Sequence, residues 1–195
     1  MEEIKEKKYE IRRQVAQQLA TLSDDELLER NRQIEDRLFD FANFLEAKIV
    51  LLYLDGKLEV ASRRIIEKSC SLNKIVVLPV PEDPPSKIML LKVDHLDTDL
   101  TVNAAGKPIP DPVRCKRVPM DRIDIALIPG VAFDEKGGRI GMGDGFYDRL
   151  IPKLPATTRK VALSFDDQVL SQVPMEPHDK HVDIIITEKR VIYKI

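Results

Sequence analysis

Apolar residues recur at spacings of three, four and seven along the amino-terminal stretch, at Ile4, Ile11, Val15, Leu19 and Leu22. That period belongs to a helix that buries one face. Ser23-Asp24-Asp25-Glu26 then supplies a capping box, in which the serine and the glutamate three residues later satisfy each other's backbone amides, so a second helix starts there. Leu27, Ile34, Leu38, Phe41 and Leu45 continue an apolar face along it. Residues 1–45 therefore read as a pair of helices.

From Ala47 the pattern changes to short apolar runs separated by helical stretches. Ile49 to Leu54 predicts a buried strand, Val60 to Leu72 a helix and Lys74 to Pro79 the next strand, which together make a βαβ unit. Ile88 to Val93 is another apolar run, approached through a rigid connection at Pro81, Pro84 and Pro85. Residues 94–122 read as an irregular, ordered loop over the site, because three missing amide donors in Lys107-Pro108-Ile109-Pro110-Asp111-Pro112 sustain neither ladder nor helix. Ile123 to Ile128 returns to strand, Phe146 to Lys153 to helix and Lys160 to Ser164 to strand. Val182 to Thr187 and Val191 to Lys194 form a terminal pair.

Alternation of this kind favours an α/β architecture. We expect a single domain over residues 1–195, with a mostly parallel twisted sheet, helices on both faces in a Rossmann-like three-layer arrangement, and the helical pair at the amino end. Ligands of such sheets bind at the carboxyl ends of the strands, where residues 54–59, 129–145 and 164–167 would share one rim.

The 195 residues suffice for one real core. Charged residues are a third of the chain but nearly cancel to a formal charge of −2, so no global field recruits nucleic acid or an anionic membrane. A polyanionic ligand needs a local basic site. No apolar run reaches the ~20 residues of a membrane span, and Met1 to Lys8 lacks the apolar core of a signal peptide. A cytoplasmic protein is expected, with Cys70 and Cys115 as thiols because they lack C-x-x-C spacing.

Five of the eight glycines lie within residues 137–145, between a strand and a helix. Glycine admits positive φ and lets a bulky anion approach backbone amides, so this stretch is a candidate phosphate cradle, with Arg139 able to add charge-assisted hydrogen bonds. Gly141, Gly143 and Gly145 follow a Gly-x-Gly-x-Gly pattern, but no Gly-Lys-Ser/Thr follows, which argues against a P-loop; a flexible turn is the plainer alternative. Asp148, in the first turn of the following helix, either complements the helix dipole or holds Mg²⁺ beside phosphates. Lys8 and Arg12, four residues apart, share a helical face that is either solvated or turned toward an anion. His178 and His181 have half the spacing of a zinc site with nothing to complete it, and read as a turn entering a strand, with Asp183 near the rim.

These elements together resemble the 5-formyltetrahydrofolate cyclo-ligases. The match is specific at Ile128-Pro129-Gly130-Val131-Ala132-Phe133-Asp134 followed by Gly138-Arg139-Ile140-Gly141-x-Gly143-x-Gly145-Phe146-Tyr147-Asp148-Arg149. Weaker matches at Lys8 and Arg12, at Leu54 with Glu59-Val60-Ala61-Ser62, at Pro110-Asp111-Pro112, and at His178-Asp179 with Val182-Asp183 extend it over nearly the whole chain.

The resemblance implies an enzyme that uses ATP and Mg²⁺ to turn 5-formyltetrahydrofolate into 5,10-methenyltetrahydrofolate, ADP and phosphate through a phosphorylated formyl intermediate. It implies that Lys8, Arg12, Arg139, Ile140, Gly141, Met142, Gly143, Asp144, Gly145, Phe146 and Tyr147 bind ATP, with Lys8 and Arg139 assisting transfer. Leu54, Glu59 and Met142 to Phe146 would contact the folate, and Asp148 and Asp183 the metal. Met142 and Asp144 depart from the residues usual in the family, and an acidic Asp144 near triphosphate needs a compensating cation. A monomer or a homodimer is expected. The competing readings are a sugar-phosphate-binding regulator or isomerase on a similar scaffold, and a non-enzymatic interaction module built on the basic helix and the proline-rich loop.

Overall fold

The computed structural model describes residues 2–82 and 87–194; Pro84 and Pro85 of the expected rigid connection lie outside these residues. Helix α1 spans Glu2–Leu19 and buries Lys8, Val15 and Leu19. Helix α2, Asp24–Asp40, starts with both halves of the capping box: Ser23 Oγ accepts from the Glu26 amide at 3.3 Å, and Glu26 Oε2 accepts from the Ser23 amide at 2.9 Å. The apolar face does not run straight to Leu45. The chain turns at Phe41, which is extended, and restarts as α3 over Ala42–Glu46. That turn lets Phe39, Phe41 and Phe44 all enter the core, with the Phe39 and Phe44 rings packed edge to face at 5.3 Å.

Strand β1 (Ile49–Leu51) is followed by α4 (Arg63–Ser71), β2 (Ile75–Pro81) and β3 (Ile88–Val93). Next come α5 (Leu96–Asp99), β4 (Leu100–Val102), β5 (Pro108–Pro110), β6 (Ile125–Leu127), β7 (Ala132–Asp134), β8 (Arg139–Ile140), α6 (Phe146–Leu150), β9 (Arg159–Leu163), β10 (Val169–Leu170), β11 (Ile184–Ile186) and β12 (Val191–Tyr193). The main sheet has the order β12-β11-β9-β6-β1-β2-β3. Its five inner strands are parallel, and each edge strand pairs antiparallel with its neighbour.

Alternate residues of the inner strands enter separate cores. Val50, Val76, Ile125, Leu127, Val161, Leu163, Ile184 and Ile186 face Val15, Ile34, Leu38, Phe44, Ile65 and Ile66 from the first four helices. Leu51, Val77, Ala126, Ala162 and Ile185 face Leu150, Ile151 and Leu154 on the other side. Both faces are covered, as the period-2 alternation requires. The second cover is only the five-residue α6 and a 3-10 turn at Ile151–Lys153, rather than one helix from Phe146 to Lys153.

The reading of residues 94–122 as irregular is corrected. β4 and β5 form an antiparallel hairpin, with Leu100 opposite Pro110, Thr101 opposite Ile109 and Val102 opposite Pro108. A two-stranded ladder needs only every second amide, so Pro-x-Pro can pair through its central residue. A second small sheet, β10-β7-β8, also replaces part of what read as loop after Pro129.

Candidate active site

Beyond the carboxyl ends of β1 and β6 lies a cavity of about 830 Å³. Six separate segments wall it: the α1 face with Lys5, Lys8, Tyr9 and Arg12, the turn after β1, the tip of the β4–β5 hairpin at Lys107 and Pro108, Pro129 after β6, the run Arg139 to Asp148, and the turn Glu176 to Asp179. The expected rim is thus partly realised. Residues 164–167 do not line the cavity; Asp166 and Asp167 are engaged instead with Arg190 and Arg30.

The glycine cluster divides into two devices. Gly137 and Gly138 belong to the β7–β8 turn, where Asp134 Oδ1 accepts from the Lys136 amide at 3.0 Å and the Gly138 amide at 2.8 Å. A side chain at Gly137, whose φ is 79°, would run into the Val182 carbonyl. Gly141, Gly143 and Gly145 line the cavity. Gly143 has φ 109°, and Gly145, at φ 64°, is the residue that enters α6. Conformations of this kind favour glycine.

Arg139 sits beneath that loop as a hub. Its side chain is 2% exposed. Nη2 donates to Asp148 Oδ1 at 2.8 Å and Nη1 to the Pro129 carbonyl at 3.0 Å, while Nε is buried with no partner among the described residues. A Cβ on Gly141 would lie 2.7 Å from Nη1, so Gly141 is where the backbone passes directly over the guanidinium.

Lys8 is not part of a solvated face. It is buried, and its Nζ donates to Glu176 Oε2 at 2.9 Å and Asp179 Oδ2 at 2.5 Å. Asp179 Oδ2 also accepts from the Glu176 amide at 2.6 Å, which closes the turn. Burial raises the Asp179 pKa, but the hydrogen bonds from the Glu176 amide and from Lys8 bring it below its ordinary value. Hydrogen bonding to Lys8 lowers Glu176 likewise. Arg12 donates from Nε to the Gly141 carbonyl at 2.8 Å; burial lowers its pKa, against the attraction of Asp179.

Across the cavity, Leu54 and Glu59 are half-buried. Glu59 Oε2 accepts from the Gly56 amide at 2.8 Å, and Asp55 Oδ1 holds both the amide and hydroxyl of Ser62 at 2.7 Å, which fixes the turn. Burial raises the Glu59 pKa, opposed by the Gly56 amide and assisted by Asp55. Burial, followed by the charge of Glu59, pushes the Tyr147 phenol well above its usual range. Met142 is exposed and Ile140 buried, while Phe146 and Tyr147 meet edge to face at 5.2 Å. Asp144 is exposed and accepts from the Phe146 amide at 3.1 Å.

The two expected metal ligands are not brought together at this cavity. Asp148 lines it, and its Oδ1 accepts from both Arg139 and the Lys180 amide. Asp183 is not among the lining residues. It precedes β11 at the amino ends of the parallel strands, where Oδ2 accepts from the Lys160 amide at 2.9 Å, so the expectation that it stands near the rim is corrected. Among the described residues, the one group of three potential ligands is Glu176, His178 and Asp179, with the Lys8 ammonium on two of them. His178 thus faces carboxylates rather than pairing with His181.

Sequence reasoning missed Lys5, Tyr9, Asp55, Lys107 and Glu176. Lys5 and Tyr9 carried a signal, since with Lys8 and Arg12 they repeat at helical spacing on one face of α1. Glu176 carried none, because its partner lies 168 residues away.

Residues 4–188 match the 5-formyltetrahydrofolate cyclo-ligase family. The chain is similar to a 5-formyltetrahydrofolate cyclo-ligase of Escherichia coli, 28% identical over 91% of this chain and 98% of that one. It is 31% identical to the Mycolicibacterium smegmatis enzyme of that name over 76% and 77% of the two chains. Among solved structures it resembles an Aquifex aeolicus 5,10-methenyltetrahydrofolate synthetase, with a TM-score of 0.82, 32% identity and coverage of 95% and 92%. A Mycoplasma pneumoniae protein, at TM-score 0.72 and 22% identity over 93% and 98%, shares the fold.

Proposed function

The chain belongs to the 5-formyltetrahydrofolate cyclo-ligase family, and we propose that the cavity between α1, the glycine loop and the 176–179 turn is where it carries out that chemistry. The protein is an enzyme that converts 5-formyltetrahydrofolate into 5,10-methenyltetrahydrofolate, closing a carbon–nitrogen bond. In our reading ATP and the folate meet in this cavity. The formyl oxygen attacks the terminal phosphorus and ADP leaves; N10 then attacks the activated carbon, and phosphate departs with the former formyl oxygen and the proton that N10 gives up. Such a reaction requires positioning and charge neutralisation more than a protein nucleophile.

One observation carries this reading: Lys8 and Arg12 from the amino-terminal helix and the loop glycines from mid-sequence converge on one cavity of a size that holds a nucleotide and a pterin. Lys8, Arg12 and the amides around Gly141 to Gly145 would hold the triphosphate. Arg139 supplies positive charge from below the loop and keeps Asp148 in place. Leu54, Met142 and Phe146 offer apolar surface to the folate, and Glu59 offers an acceptor to the N–H groups of the reduced pterin.

Five cationic side chains and six carboxylates line the cavity, so the protein alone does not outweigh the charge of a triphosphate. That donor set fits a Mg²⁺-bound nucleotide. Asp148, which accepts its hydrogen bonds on Oδ1 and leaves Oδ2 to serve as a metal ligand, would hold the ion together with phosphate oxygens. The ion would neutralise charge on the transferring phosphoryl group. Asp183 has no place in that set here. The free thiols of Cys70 and Cys115 fit a cytoplasmic setting, and no helix among the described residues is long and apolar enough to cross a membrane.

The test mixes purified protein with 5-formyltetrahydrofolate and Mg²⁺ and follows the conjugated methenyl product by absorbance, with and without ATP. Product only with ATP, and an ATP KM raised in Arg12→Ala with little change in the folate KM, is expected. Product at the same rate without ATP would overturn the reading.

A further inference from the structure

An ammonium group has three donors. At Lys8 two of them are taken, by Glu176 Oε2 and Asp179 Oδ2, and the side chain still borders the cavity. All three side chains are less than a tenth exposed. A lysine left alone at a cavity wall would sample many rotamers along its flexible four-carbon stem. Here the position of Nζ is fixed, with one N–H left over.

We propose that Glu176 is a positioning residue for the known reaction, acting through Lys8 to aim that remaining N–H at an anionic oxygen of the nucleotide. The proposal rests on the reading that ATP occupies this cavity. Asp179 has a second task, since it closes the turn through the Glu176 amide. Glu176 is the cleaner probe, because among the described residues its side chain holds Lys8 with only the distant contact of His178, at 3.8 Å, besides. Lys8 keeps Asp179 when Glu176 is removed, so the charge is not stranded. The competing possibility is that the two carboxylates repel a triphosphate and restrain binding. The two effects have opposite signs on the ATP KM.

The experiment is a double-mutant cycle read in steady-state kinetics and thermal melts. Glu176→Ala leaves Lys8 its charge and its remaining N–H and takes away only the aim, so the ATP KM should rise by about five- to tenfold, short of the more than tenfold rise that loss of the whole charge-assisted bond would bring. The folate KM should change by less than about twofold, because the interaction lost is local to Lys8. Glu176→Gln keeps an acceptor oxygen and should stay within about threefold of the parent. In a Lys8→Met background, Glu176→Ala should bring no further rise in the ATP KM, an outcome that a purely structural role does not produce. An ATP KM that falls or stays unchanged in Glu176→Ala, or rises equally in both backgrounds, would overturn the proposal. If Glu176→Ala fails to fold, Glu176→Asp, which withdraws the carboxylate by one methylene, enters the same cycle with the same criteria. Parent enzyme that makes product without ATP would instead sink the underlying reading, so the two failures are separable.

Discussion

Replacing Arg139 with alanine should unseat both stability and turnover, because this side chain holds the floor of the cavity together. It is 2% exposed and its partner Asp148 is 15% exposed. The substitution removes the hydrogen bonds to Asp148 and to the Pro129 carbonyl and leaves the carboxylate with only the Lys180 amide. Breaking a buried pair by removing one partner costs about 3–5 kcal/mol, and the access of water to Asp148 argues for the lower end. A chain of this length shifts its midpoint by about 2–4 °C per kcal/mol, so Tm should fall by about 6–12 °C. That leaves most domains folded, since stabilities run to about 5–15 kcal/mol. Removing Asp148 as well takes away the stranded carboxylate, so Arg139→Ala with Asp148→Ala should melt higher than the sum of the single losses implies. Calorimetry on the three variants, with methenyl formation at saturating substrates, checks this. A Tm for Arg139→Ala within about 2 °C of the parent, or strict additivity in the double variant, would refute the account of Arg139 as a hub.

Gly143→Ala should raise the ATP KM and lower Tm modestly: the added Cβ meets the Arg12 guanidinium only at an ordinary 3.7 Å, so the burden is the positive φ, about 1–3 kcal/mol. Unchanged kinetics and melting would show that the loop does not need this backbone state. Glu59 has its pKa raised by burial, so its favourable contribution is present below the unfolded-state pKa and is lost as pH rises through the raised folded value. Glu59→Gln should therefore be more stable than the parent at neutral pH, with the gap closing as pH falls through that value, while the folate KM rises; urea midpoints across a pH series check the sign, and a gap that does not change with pH would contradict it.

The parts of the fold that were legible in the sequence are those whose information is local. The capping box at Ser23 forms with both of its hydrogen bonds, and the short apolar runs from Ile49 onward become a mostly parallel sheet. What failed to show was set by partners elsewhere. Pro108-Ile109-Pro110 looked unable to pair because its own missing amides were visible, but which amides a ladder uses depends on the register with Leu100 to Val102. The break at Phe41 answers to the demand of three phenylalanines for the core, which helical periodicity alone does not encode. At the site, glycine spacing and the pair Lys8 and Arg12 pointed to residues that line one common cavity, whereas Glu176 was invisible and Asp183 was expected at the wrong end of its strand.

Positive φ is spread over Asn73, Gly106, Gly137, Gly143 and Gly145, so backbone strain by itself does not mark the site. Gly106 and Gly137 serve hairpin turns, where a tight reversal explains the conformation. Gly143 and Gly145 are different because they coincide with other departures from what stability alone would select. Arg139 lies beneath them with its Nε unsatisfied among the described residues, Glu59 is a carboxylate whose burial works against its charge, and Lys8 is a buried cation with two carboxylates upon it. Each of these costs folding free energy or adds nothing to it. Local rules are broken where binding or chemistry requires it, and such breaks are offset by the rest of the structure. Here the offset is visible in the two cores that sandwich the sheet, and the breaks converge on one cavity at the carboxyl ends of its strands. It is this coincidence, rather than the number of glycines, on which our reading of a phosphate loop over a flexible turn rests.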